Sequence, residues 1–168
     1  KTAMDKPEMR EEVLSLLEQN ARMPNAEIAD RLAVPEQAIA DVITEMEADG
    51  TIIGYYALVN EQSLDESAVR AIIEVEVQPQ RDGGFDPIAQ RVSKFSEVRT
   101  VHLVSGRYDL RLEVVGSSLH EVASFVASKL APLEGVKSTV THFLLKKYKE
   151  AGFRLQEDES YERLKITP

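Results

Sequence analysis

Two groups of side chains in this sequence have the chemistry of a binding site. The first is Gly106-Arg107-Tyr108-Asp109, a turn between two apolar runs. Gly106 permits a backbone with φ > 0 or a close approach by a ligand. Tyr108 offers a ring and a hydroxyl, and Asp109 can hold an ammonium group through a charge-assisted hydrogen bond. Arg107 can pair with a ligand carboxylate or stay solvated. A structural turn accounts for the same residues without a ligand: glycine for geometry, aspartate bonded to backbone, tyrosine packed at an interface. Residue chemistry alone favours the turn.

The second group lies in PEQAIADVITEMEADG, Pro35 to Gly50. Near the start of this helix-like stretch stand Glu36, Gln37, Asp41 and Thr44. Gln can read adenine and Glu can accept from cytosine, as base-reading side chains do. The stretch, however, holds five acids (Glu36, Asp41, Glu45, Glu47, Asp49) and no Lys or Arg. Phosphate attraction, which supplies most non-specific DNA affinity, must therefore come from elsewhere. The candidates are Arg22, Arg31 and the N-terminal Lys1, Lys6 and Arg10.

Other chemistries find little support. There is no Cys, so disulfides, thiolate metal sites and a Cys nucleophile are excluded. His102, His120 and His142 have no H-x-x-x-H spacing and no tight acidic cluster, so they read as structural residues and no metal is expected. No phosphate loop, Rossmann fingerprint or G-x-S-x-G is present, and neither an enzyme nor a cofactor is expected.

The elements that must hold these groups change character along the chain. Pro7 suits a first helical turn, and Met9, Val13, Leu16 and Leu17 form a stripe at helical spacing. After the break Asn20–Pro24, Asn25 can cap a second helix with Ile28, Ala29 and Leu32 inward. Ala33-Val34 turns the chain, and Pro35 starts a third helix with Ile39, Ile43 and Met46 inward and Val42 beside them. Gly50 is a left-handed stop. Thr51 to Tyr56 resembles a short β wing, which completes a winged helix-turn-helix pattern.

Asn60 to Ser67, NEQSLDES, reads as a linker. Beyond it Ala71, Ile73, Val75 and Val77 alternate with Ile72, Glu74, Glu76 and Gln78, as in a strand with one buried face. Asp86-Pro87 opens a helix with Ile88, Val92 and Phe95. Strands follow at 98–105 and 110–115. Ser118-x-x-Glu121 is a capping box for a helix with Leu119, Val122, Phe125, Val126 and Leu130. Val136 to Leu145 is a last strand. The order β-α-β-β-α-β is a ferredoxin-like unit, so the fold class is α+β. The sheet face away from the helices is expected to include Ile72, Val101, Leu103, Val115, Phe143 and Leu145, and to pack on a second subunit.

The expected organisation is a head and hinge over 1–60, a ligand-responsive oligomerisation domain over 61–145, and an extension over 146–168. The extension carries Tyr148, Phe153, Leu155, Tyr161, Leu164 and Ile166, so it is expected to dock on a domain or partner subunit. The net charge of −9 is uneven: residues 1–60 hold 5 bases and 12 acids, whereas 146–168 hold 6 and 5. The start of the chain lacks the apolar core of a secretory signal, and no apolar run approaches the roughly 20 residues of a membrane span. A soluble cytoplasmic protein with no membrane partner is the expectation.

Three stretches together resemble the leucine-responsive regulator/AsnC family of transcription factors. They are NAEIADRLAVPEQAIADVITEMEADGTIIGYYALVN with its Gly50-Thr51-Ile52-Ile53-Gly54-Tyr55, VHLVSGRYDLRLEV, and Gly135-Val136-Lys137-Ser138-Thr139-Val140-Thr141. The resemblance implies a DNA-binding winged-helix head and an effector and assembly domain. It implies homodimers or larger homo-oligomers, and an effector, commonly an amino acid, bound between dimers near the hairpin. Gly106, Arg107, Tyr108, Asp109 and Thr141 are then candidate effector contacts, although Thr141, like Thr139, suits sheet packing. Arg22, Arg31, Glu36, Gln37, Asp41 and Thr44 are candidate DNA contacts. The family commonly has Arg or Lys around the positions of Asp41, Val42 and Thr44, and this chain has none there. The alternative is an oligomeric small-molecule sensor or protein-interaction module whose acidic head no longer binds DNA.

Overall fold

A computed structural model describes residues 4–61, 64 and 68–155. The chain divides into two compact units, Lys1–Leu58 and Val59–Pro168. Lys1, most of the 60–67 linker, and the tail residues Tyr161, Leu164 and Ile166 lie outside the described residues.

The first unit is three helices: α1 (Lys6–Gln19), α2 (Asn25–Leu32) and α3 (Glu36–Ala48). Asp5 caps α1, its carboxylate accepting from the Glu8 N–H, and Pro7 stands in the first turn where no intrahelical donor is needed. The core gathers Val13 and Leu17 from α1, Met23, Ile28 and Ala29, and Ile39, Val42 and Met46 from α3. Two local expectations need correction. Asn25 is the first residue of α2 rather than its cap; Pro24 holds the cap position and no side chain caps the helix. On α3 the fully inward positions are 39, 42 and 46, so Val42 takes the central place and Ile43 is half-buried. The steps of three and four are those of one helix face.

The turn before α3 is made by Ala33 in the left-handed region (φ 55°), with the Val34 N–H returning to the Ala29 carbonyl at 3.1 Å. A Cβ in that region costs about 1–2 kcal/mol. Ala33→Gly is expected to stabilise the head by up to about 1 kcal/mol, seen as a higher denaturant midpoint at unchanged slope. Gly50 ends α3 at φ +78°. The predicted β wing is not a strand: residues 53–60 are assigned to no strand, and Ile53 and Tyr56 are exposed. A strand needs a pairing partner, and the described residues of one copy place none beside this segment.

The second unit carries an antiparallel sheet of β1 (Val69–Val77), β2 (Val98–Leu103), β3 (Leu110–Gly116) and β4 (Val136–Phe143), in the order β2-β3-β1-β4. Two helices, α4 (Asp86–Val92) and α5 (Leu119–Phe125), complete the expected β-α-β-β-α-β order. They cover one face: Ala71, Ile73, Val75, Val77, Leu110, Leu112 and Val114 pack on Ile88, Val92, Val122, Phe125 and Leu130. Val126–Leu130 extends α5 as a π-helical turn. Leu119, predicted inward, is 58% exposed, because it is the first residue of the helix, ahead of the buried Val122 and Phe125. Of the capping box, Ser118 Oγ accepts from the Glu121 N–H at 3.1 Å, but Glu121 takes its second bond from Ser117 rather than Ser118.

The composition of the open sheet face is also corrected. Phe143 pairs with Ala71 and Val101 with Leu112, and both pack on the helix-covered core; Leu103 pairs with Leu110 and points to the same side, but at the end of its strand it is 58% exposed. Leu145 lies beyond the end of β4. The open face holds Ile72, Val115 and Val140 among charged rows. On it Arg70 bonds both Glu61 and Glu113, Glu74 faces His142 at 3.5 Å, and Ser138 donates to Glu76 at 3.2 Å. The start of the extension forms a hairpin of β5 (Lys149–Glu150) and β6 (Phe153–Arg154). Lys147, just before it, lies 3.0 Å from Glu150 and 3.9 Å from Glu61.

Candidate functional site

The four acids of α3 and Asp49, which caps its end, are sorted by position. The last three face partners on α1 and in the segment after α3. Lys6 Nζ lies 2.8 Å from Glu45, and Arg10 lies 2.7 Å from Asp49 and 2.9 Å from the Thr51 hydroxyl. Tyr55 donates its hydroxyl to Glu47 at 2.9 Å. The Thr51 hydroxyl first, and Arg10 beside it, hold the Asp49 carboxyl down at about 2. Burial and the Glu47 carboxylate push the Tyr55 phenol up, so it stays a donor. The two ion pairs, Lys6 with Glu45 and Arg10 with Asp49, join residues 39 positions apart and pin α1 across the end of α3. Lys6 and Arg10, two of the candidate sources of phosphate attraction, are turned to the protein's own acids.

The first half of α3 is left as the outward end. Glu36 and Asp41 are exposed there, and Gln37 donates to Asp41 at 2.8 Å; Thr44, in the following turn, donates to the Ala40 carbonyl at 2.8 Å. Arg31, on α2, pairs with Glu27 at 2.6 Å. Arg22 is exposed in the turn between α1 and α2 and, among the described residues, is the one base of the head with no acidic partner. The six candidate DNA contacts thus divide into a cluster on α3 and two separate arginines.

The hairpin residues are held as follows. Gly106 adopts φ +147°, a conformation L side chains rarely take, while a Cβ there would meet nothing within 4 Å. The requirement is conformational rather than steric. Arg107 is exposed and Tyr108 half-buried. Asp109 ties the hairpin to the central strand: its Oδ2 accepts from the Val77 N–H at 2.8 Å, and its own N–H donates to the Val75 carbonyl at 3.1 Å. Its carbonyl accepts from the Val104 N–H at 2.9 Å. Thr141 is not beside this turn. It shares a sheet row with Ile73 and Leu112, whereas the row next to the hairpin runs Thr139, Val75, Leu110. Among the described residues no group of His, Asp and Glu could hold a metal ion, and no helix is long and apolar enough to cross a membrane.

Comparison with known proteins adds the context for this geometry. Residues 8–53 match a family model described as winged helix-turn-helix DNA-binding, and residues 70–152 one described as the Lrp/AsnC ligand binding domain. An uncharacterised HTH-type transcriptional regulator of Bacillus subtilis is 38% identical, with 96% of this chain and 98% of the relative covered. Another, from Pyrococcus horikoshii, is 30% identical, with 79% and 81% covered. Among solved structures, a transcriptional regulator of Neisseria meningitidis in complex with L-Met is similar, with a TM-score of 0.67 and 25% identity over 84% of this chain and 91% of that one.

Proposed function

Because this chain belongs to the Lrp/AsnC family of transcriptional regulators, we propose that the outward half of α3 enters the major groove of an operator, under control of a small effector of amino-acid type. One observation carries the DNA half of this reading. The acids that most argued against DNA, Glu45, Glu47 and Asp49, are turned to Lys6, Tyr55 and Arg10, away from the end of the helix that base-reading motifs present. Glu36, Gln37, Asp41 and Thr44 remain as base-facing side chains, and Arg22 as a phosphate contact.

The effector half draws support from the Neisseria relative, which was solved with L-methionine. The hairpin of Gly106, Arg107 and Tyr108 supplies a tight turn, a cation for a carboxylate and a hydroxyl. The exposed apolar residues of the 53–59 segment, and Ile72, Val115 and Val140 on the sheet, suit cover by a second copy. Assembly places several heads on one DNA and multiplies weak individual contacts.

The test is fluorescence anisotropy of the full chain on the DNA upstream of its own gene at low salt, with and without each amino acid. Sequence-preferring binding that one amino acid shifts is the expected result. With Arg22 the one unpaired base among the described residues of the head, the affinity should fall only shallowly with salt, the slope scaling with the number of phosphates neutralised. Absence of sequence preference under all these conditions, with a protein partner recovered instead, would leave a sensor or interaction module.

A further inference from the structure

We propose that Asp41 is a positioning residue that makes Gln37 a reader of adenine and sets it against guanine; the idea rests on α3 reading DNA, as above. Gln37 is the second residue of α3 and Asp41 stands one turn on, on the same face. Both are exposed, and Gln37 Nε2 donates to Asp41 Oδ1 at 2.8 Å.

That bond decides which way the amide points. An ionised carboxylate only accepts, so the amide nitrogen must face Asp41 and the amide oxygen must face away. The nitrogen carries two hydrogens, and only one is used. The outward edge of Gln37 therefore presents one N–H donor and one carbonyl acceptor in a fixed order. Adenine presents the complementary pair in the major groove, an N7 acceptor beside an N6–H₂ donor, whereas guanine presents two acceptors, N7 and O6. Against guanine the fixed amide sets oxygen against oxygen. A free amide could turn its nitrogen and both hydrogens toward the two acceptors of guanine, but here Asp41 holds one of those hydrogens, and turning the oxygen toward Asp41 would set it against the carboxylate. The Thr44 hydroxyl, further along this helix, gives its proton to the Ala40 carbonyl and so is not a donor to the Gln37 amide oxygen.

An acid at this position also repels phosphate, and the two effects separate in the measurement. Loss of charge raises affinity for every sequence alike. Loss of positioning changes the ratio between two sequences that differ at one base.

The full chain is used to select bound duplexes from a random library. The selected duplex and its single-base variants are then compared by anisotropy at one salt concentration. At one position the wild type should prefer adenine to guanine by about 10- to 100-fold, the range of a good bidentate contact. Gln37→Ala should abolish that preference. Asp41→Ala and Asp41→Asn should cut it to about threefold or less while raising affinity for all duplexes, since alanine releases the amide and asparagine can donate as well as accept. Asp30→Asn, which removes one charge from α2, should raise affinity without changing the ratio. An adenine preference that survives both Asp41 variants, or one that never depends on Gln37, overturns the proposal and leaves DNA reading by α3 intact. A wild type that selects no duplex overturns both. Thermal melts of each variant check that these exposed substitutions leave the fold unchanged.

Discussion

Ile39→Ala is expected to unfold the N-terminal head and leave the C-terminal domain standing. Ile39 is fully buried in a core built from Val13, Leu17, Ile28, Val42 and Met46. Truncating a buried isoleucine to alanine costs about 2–5 kcal/mol. A unit of this size has only about 3–8 kcal/mol of stability in total, at the usual margin per residue. The sheet core shares no residue with the head core, so the damage should stay local. Calorimetry of the wild type should show two transitions, and the variant should lose one and keep the other. DNA binding should vanish with the lost transition. A single transition that shifts as a whole would show that the two units unfold together and would sink the expectation.

Asp109→Ala should destabilise the second unit by about 1–3 kcal/mol, the usual effect of leaving a half-buried donor without its acceptor. That corresponds to a fall on the order of 5–15 °C in Tm. The donor is the Val77 N–H at the end of the central strand, where the Asp109 carboxylate fastens the hairpin to β1. Asp109→Asn keeps an oxygen for that N–H and should lose less than about 1 kcal/mol. The pair of variants separates two roles. If the carboxylate serves only the strand, asparagine leaves effector affinity as it was. If its charge also holds an ammonium group, asparagine keeps the Tm and weakens the effector at least about tenfold, as loss of a charge-assisted bond does.

The parts of the fold legible in the sequence are those decided by local spacing. The run of Ala71, Ile73, Val75 and Val77 has one possible buried face, and it is buried without exception. The same holds for Ile39 and Met46 on α3, for Gly50 as its stop, and for the Ser118 cap. Asp5-x-x-Glu8 also carried a capping signal, which the stripe of α1 overshadowed. The faces of β2 and β4 were not legible, because both parities of those strands carry apolar residues. On β2 the register shifts between Val98 and Thr100, so Val98 and Val101, three apart, share a face. A pattern of period two cannot anticipate that shift.

At the sites the limit is distance along the chain. Gln37 and Asp41 are one helical turn apart, and their bond follows from spacing. Lys6 with Glu45, and Arg10 with Asp49, meet across 39 residues, and no local pattern announces them. The charge count of α3 was therefore correct, but where the charges point was out of reach. The hairpin motif was visible as Gly-x-Tyr-Asp, while the partner of its aspartate, Val77, stands 32 residues earlier.

The segment after α3 has a consequence for the life of the protein in a cell. From Thr51 to Asn60 the chain, TIIGYYALVN, carries no charged residue. Its residues 53–60 belong to no strand and expose Ile53 and Tyr56. Uncharged, aromatic and β-branched stretches of this length are the kind that pair with copies of themselves in cross-β aggregates. A lone chain thus carries its own aggregation seed. Substitutions that weaken self-association should shorten the protein's lifetime and send it to proteases or inclusion bodies, even where no residue that touches DNA or effector has changed.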